Sequence, residues 1–184
     1  MTTATGTEIT RITAKLYADN PEVIDLDSYI PLFHGWIQRR ILDGVPIDVA
    51  DYAHVPDGPG VMLISHEADR SLDLGEGRPG AVYARKRDGE GTLAERVAAS
   101  IAAADTLAGD IEAEELASGV TFGRDEILIQ VMDRLAAPND DEGFEIMRPA
   151  VEEALTTVRP GRPATLGRVT ADPRGPLTIR VLLA

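Results

Sequence analysis

Three histidines, His34, His54 and His66, fall within one short stretch of a chain that has no others. Imidazole is the commonest nitrogen ligand for zinc, and Glu67, Asp51 or Asp69 would supply the carboxylate of a four-ligand site. The spacing argues against it. No two histidines stand four apart on a helix, and no His-x-His occurs on a strand. No metal or other cofactor is therefore expected. His34 lies among Ile30 and Ile37, where a hydrogen-bonded core histidine is the simpler reading, and His54 abuts a turn. His66-Glu67 is the candidate acid–base pair. It needs a nucleophile or a bound water beside it, and Ser65 has no Gly-x-Ser-x-Gly elbow around it. Neighbours on a strand also point to opposite faces, so both side chains enter one pocket only at a bulge. Arg85-Lys86-Arg87 is the basic cluster of the chain and suits a carboxylate or phosphate. Tyr52, His54, His66 and Arg85 together form the candidate small-molecule pocket. Tyr29, Phe33 and Trp36 line a pocket or, more simply, pack in the core.

The segment 45–74 has to position these groups. Residues 47–52 alternate, as a half-buried strand does, and Val61-Met62-Leu63-Ile64 is the continuous apolar run of a covered one. Pro56-Asp57-Gly58-Pro59-Gly60 between them is a turn. The two runs make a hairpin. Its second strand ends in the polar stretch 65–70, which either leaves the core or enters a cleft.

Composition narrows the classes. The chain has 184 residues, enough for one domain with a substantial core. A net charge of -13 disfavours nucleic acid and anionic membrane surfaces, both of which need a cationic face. Lysine occurs only at positions 15 and 86, the remaining cationic side chains being arginine, a bias of GC-rich prokaryotes. With no cysteine, disulfides and thiolate chemistry are excluded. No apolar run is long enough to span a membrane and no secretory leader is evident, so a cytoplasmic protein is expected.

Along the chain, residues 1–8 read as a flexible tail and 9–184 as one domain. A strand over 9–18 precedes a helix capped by Asp27, with Pro31 in its first turn and Gly44 as its stop. Residues 72–74 extend the central hairpin, and 81–85 form the next strand. Thr92 and Glu95 make a capping box ahead of a helix through Ala104. Residues 120–122 and 126–135 read as a hairpin across Gly123-Arg124-Asp125. Asn139 and Glu142 open a third helix that Pro149 should kink or split. The strands at 164–170 and 177–183 pair. Strand, helix, strand, strand occurs at 9–66 and again at 126–183, which suggests two pseudo-symmetric β-α-β-β repeats. The expected fold is α+β: a mostly antiparallel sheet of about seven to eight strands with three helices, on one face.

Residues 26–87 resemble a family of uncharacterised bacterial proteins. The likeness rests on Ile30-Pro31-Leu32-Phe33-His34-Gly35-Trp36-Ile37, on Ile47-Asp48-Val49-Ala50-Asp51-Tyr52 with His54-Val55, on Gly58-Pro59-Gly60-Val61 and on His66-Glu67. Gly77-Arg78-Pro79-Gly80 and Tyr83-Ala84-Arg85-Lys86 extend it, and Asp133-Arg134-Leu135-Ala136-Ala137-Pro138-Asn139 is a weaker echo. It implies no activity. The favoured function is a non-enzymatic protein that self-associates or joins a larger assembly, because the apolar strand 177–183 near the chain end is expected to be an open edge. The alternatives are a binding module using Tyr52, His54, His66 and Arg85, and a metal-dependent or acid–base hydrolase using His34, His54, His66 and Glu67.

Overall fold

A computed structural model describes residues 8–87, 90–170, 172 and 174–184. Among these, eight strands form one antiparallel sheet: β1 (Ile12–Ala18), β2 (Pro46–Tyr52), β3 (Gly60–Ser65), β4 (Ala68–Asp73), β5 (Gly80–Arg85), β6 (Phe122–Val131), β7 (Ala164–Arg168) and β8 (Leu177–Leu183). Their spatial order is β2-β3-β4-β5-β1-β6-β8-β7. Three α-helices, α1 (Leu26–Arg39), α2 (Leu93–Glu112) and α3 (Asp141–Val158), complete an α+β fold as the sequence predicts.

Register explains why one face is covered. Val61, Leu72, Ala81, Leu16, Ile127, Val181 and Leu166 stand side by side from β3 to β7. This apolar row and its neighbours form the core with the helices. Helix α1 lies on β2 and β3, α2 on β5 and β1, and α3 on β7 and β8. The alternate row, Met62, Ser71, Val82, Lys15, Leu128, Arg180 and Gly167, points the other way.

Local chemistry sets the helix boundaries. Thr92 and Glu95 form the expected capping box on α2. Helix α1 starts earlier than expected: Asp25, not Asp27, is its N-cap, so Pro31 falls in its second turn. It ends at Arg40 in the left-handed conformation, before Gly44 is reached. Asp140 caps α3 by accepting the Gly143 amide at 2.9 Å, while Asn139 reaches across to the Asp172 carbonyl. A side chain at Gly143 would meet the Pro138 carbonyl, so only glycine fits. Pro149 does not split α3. It lies on the exposed side, where water can take the carbonyl freed by its missing N–H.

Three strand expectations are corrected. The segment 122–131 is one continuous strand rather than a hairpin, because Gly123 serves to admit the Asp19 carboxylate rather than to turn the chain. The segment 65–70 is not one polar strand end: His66 and Glu67 form an exposed turn, and β4 begins at Ala68 and brings Arg70 to a cleft on the helix face. Strand β8 is not an edge, since β6 and β7 flank it. Glu8 pairs with Arg96, so the expected tail does not extend that far; residues 1–7 lie outside the described ones.

Candidate functional site

The histidines do not converge. Pro46 pairs with Ser65 and Tyr52 with Gly60, so His66 and Tyr52 mark opposite ends of the β2–β3 hairpin, ~20 Å apart at the rise of a strand. Arg85 pairs with Ala68 at the His66 end. Tyr52 and His54 therefore share no pocket with His66 and Arg85. All three histidines are exposed, His34 included, so it is not a core residue; its Nδ1 lies 2.9 Å from the Ile30 carbonyl of its own helix. Among the described residues, no three His, Asp or Glu side chains are grouped to hold a metal.

The His66-Glu67 pair is occupied in holding its turn. Arg87 donates to the His66 carbonyl at 3.1 Å and approaches Nε2 at 2.8 Å, which leaves the ring proton on Nδ1, 3.4 Å from Glu67. Glu67 accepts the Val45 amide, and this bond above all holds its carboxyl below the usual range. Ser65 is only 1% exposed and offers no nucleophile to a substrate. Tyr29, Phe33 and Trp36 are buried against one another as core. Burial pushes the Tyr29 hydroxyl up to about 12. The Trp36 indole donates to Glu114 at 2.7 Å.

Polar groups gather in two other places. On the helix-free face, residues 73–79 cross the sheet as a strap. Lys15, 4% exposed, donates to Asp73 and to the Gly75 carbonyl. Tyr17 bonds Glu76, Arg78 lies 3.7 Å over the Tyr17 ring, and Arg78 and Arg180 share Glu126. Burial, reinforced by Glu76, raises the Tyr17 hydroxyl above its ordinary range. These charges satisfy one another.

On the helix face, a space between residues 41–43, which follow α1, and helix α2 reaches down to Arg70 of β4 and Tyr83 of β5. A cleft of about 220 Å³ is lined there by Asp43, Arg70, Tyr83, Thr106, Leu107 and Asp110. Arg70 stands in a core-facing position of β4, opposite Leu63 and Tyr83, with its guanidinium 5.6 Å from the Tyr83 ring. Burial lifts the Asp110 carboxyl above its ordinary range, and the field of Arg70 opposes the shift.

The two edges of the sheet differ. Strand β2 carries Pro46, Asp48 and Asp51 and a bulge between Pro46 and Asp48, devices that deter strand addition. Strand β7, Ala-Thr-Leu-Gly-Arg, pairs regularly and carries none before its terminal arginine. The Val169 amide bonds the Thr178 carbonyl, and the Ala184 amide bonds the Pro163 carbonyl. By antiparallel alternation Thr165 and Gly167 bond β8, whereas Ala164, Leu166 and Arg168 aim their N–H and C=O groups outward. A groove of about 300 Å³ runs beside this strand, lined by Glu152, Leu155, Thr156, Arg159, Arg162 and Leu166.

In comparisons with known proteins, the chain matches no family model, no curated protein and no solved structure. No helix among the described residues is long and apolar enough to cross a membrane.

Sequence reasoning missed Arg70 and the β7 edge. An arginine amid Leu63, Leu72 and Tyr83 was a visible signal only once the strand register was known. For β7, the order of the last two strands in the sheet was not encoded in their own pattern.

Proposed function

We propose that the protein is a non-enzymatic subunit that associates with a second copy of itself through β7. The open, bulge-free edge of β7 carries this reading. Two β7 strands meet antiparallel across a twofold axis at Leu166, with Ala164 of each copy facing Arg168 of the other, and the two sheets become one. The charges at the ends of the neighbouring helix α3 are paired within each copy, Asp141 with Arg168, Arg159 with Asp105 and Arg162 with Asp125, so the strand edge alone carries the contact. We also read 9–66 and 126–183 as two copies of one unit. The strand order supports this, since β2-β3 and β8-β7 are the outer pairs and β1 and β6 adjoin, with the β4–β5 hairpin interposed in the first half.

The test is solution mass by light scattering across a concentration series. The parent chain is expected as a dimer. Leu166→Pro removes an outward N–H without breaking a β8 bond and is expected as a monomer, whereas Leu166→Ala retains the dimer. A parent chain that is monomeric at every concentration, or a Leu166→Pro chain that still dimerises, overturns the proposal.

A further inference from the structure

We infer that the cleft between residues 41–43 and α2 binds a small amino acid, its carboxylate on Arg70 and its ammonium group near Asp110 and Asp43. This site is independent of the β7 edge, which lies at the far side of the sheet from β4.

Placement is the first reason. In the cross-strand row Leu63, Arg70, Tyr83, Ala14, Ile129, Ile179 and Arg168, the two arginines are the only charges. Arg168 is neutralised by Asp141 at 2.8 Å and bonds the Asn139 carbonyl. Arg70 takes part in none of the ion pairs found among the described residues. Asp110 acts on it through its field, without a hydrogen bond between them. A half-buried guanidinium resting on an aromatic ring, its donor fork left open, is arranged for a planar, bidentate anion.

Charge balance chooses the ligand class. Asp43 and Asp110 flank Arg70 in the same lining, so a bare dianion such as phosphate meets two carboxylates. A molecule with one carboxylate and one ammonium group satisfies all three side chains. Size agrees: about 220 Å³ holds roughly seven water-sized groups, the scale of a small free amino acid. Leu107 and Tyr83 offer apolar contact, and the Thr106 hydroxyl, which donates to the Ala102 carbonyl at 3.1 Å, can still accept.

Isothermal titration calorimetry with L-alanine and L-serine tests the assignment, with acetate, methylammonium and inorganic phosphate as partial probes. At least one amino acid should bind, and at least tenfold more tightly than acetate or methylammonium. Arg70→Met should remove that binding, and Asp110→Asn, which keeps the size of the side chain at the cleft rim, should weaken it several-fold while the melting temperature stays near the parent value. If Arg70→Met does not fold, the Asp110→Asn result decides. No heat with either amino acid, tighter binding of phosphate, or unchanged affinity in the variants overturns the inference.

Discussion

The two ends of the sheet follow one plan, a helix laid over an outer hairpin, yet they differ in filling and in finish. At the β2–β3 end, α1 packs three aromatic rings, and the edge carries aspartates, a proline and a bulge. At the β8–β7 end, α3 buries Met147, Val151, Ala154 and Leu155, and the edge is plain. Apolar exposure does not account for the difference. Ile47 on β2 is 62% exposed, while Leu166 on β7 is half-buried. What distinguishes the ends is whether the outward backbone can accept another strand.

The largest effect expected from breaking this contrast lies in the fillings. Trp36→Ala should cost about 3–5 kcal/mol, since a fully buried ring and the Glu114 hydrogen bond go together. Met147→Ala at the other end should cost less, about 2–4 kcal/mol, because a flexible side chain leaves a smaller void. Urea denaturation of both variants ranks them, and equal losses would remove the distinction between the ends. Unguarding β2 comes next. Asp48→Thr with Asp51→Thr removes the charged guards of β2 and leaves only Pro46 and the bulge at one end, so light scattering should show species heavier than the dimer. If the mass stays unchanged, the aspartates do not guard that edge. The caps give the smallest effect. Asp140→Ala should lose about 1 kcal/mol, and Asp25→Ala less, because Asp140 holds its amide at 2.9 Å and Asp25 at 3.3 Å.

Much of this architecture was legible in the residues. Alternation marks β1, β2 and β8, the apolar run 61–64 marks β3, Pro/Gly turns mark the pairings of β2 with β3 and of β7 with β8, and the Thr92–Glu95 box marks the start of α2, because each signal is local. Burial corrected the rest. On α1, Tyr29, Leu32, Phe33 and Trp36 fill the core, Ile30 and Ile37 pack partly against it, and Ile41 beyond the helix is 51% exposed. Glycine was read as a turn at Gly123, where it relieves crowding by Asp19 instead. The candidate pocket failed for a geometric reason. Tyr52 and His66 are near in sequence, but antiparallel pairing sets the C-terminal ends of the two strands at opposite ends of the ladder, Tyr52 beside the turn and His66 at the open end. Arg70 was passed over because a charge within a polar stretch looks solvated until its strand is known.

The position of β1 has a consequence for biogenesis. Although it precedes the other seven described strands in the chain, its two neighbours are β5 and β6, and β6 is not complete until Val131 has been synthesised. During translation Ile12, Ala14 and Leu16 therefore leave the ribosome long before anything can cover them. The nascent chain must wait for residues 80–131, with the sheet closing late and slowly around β1.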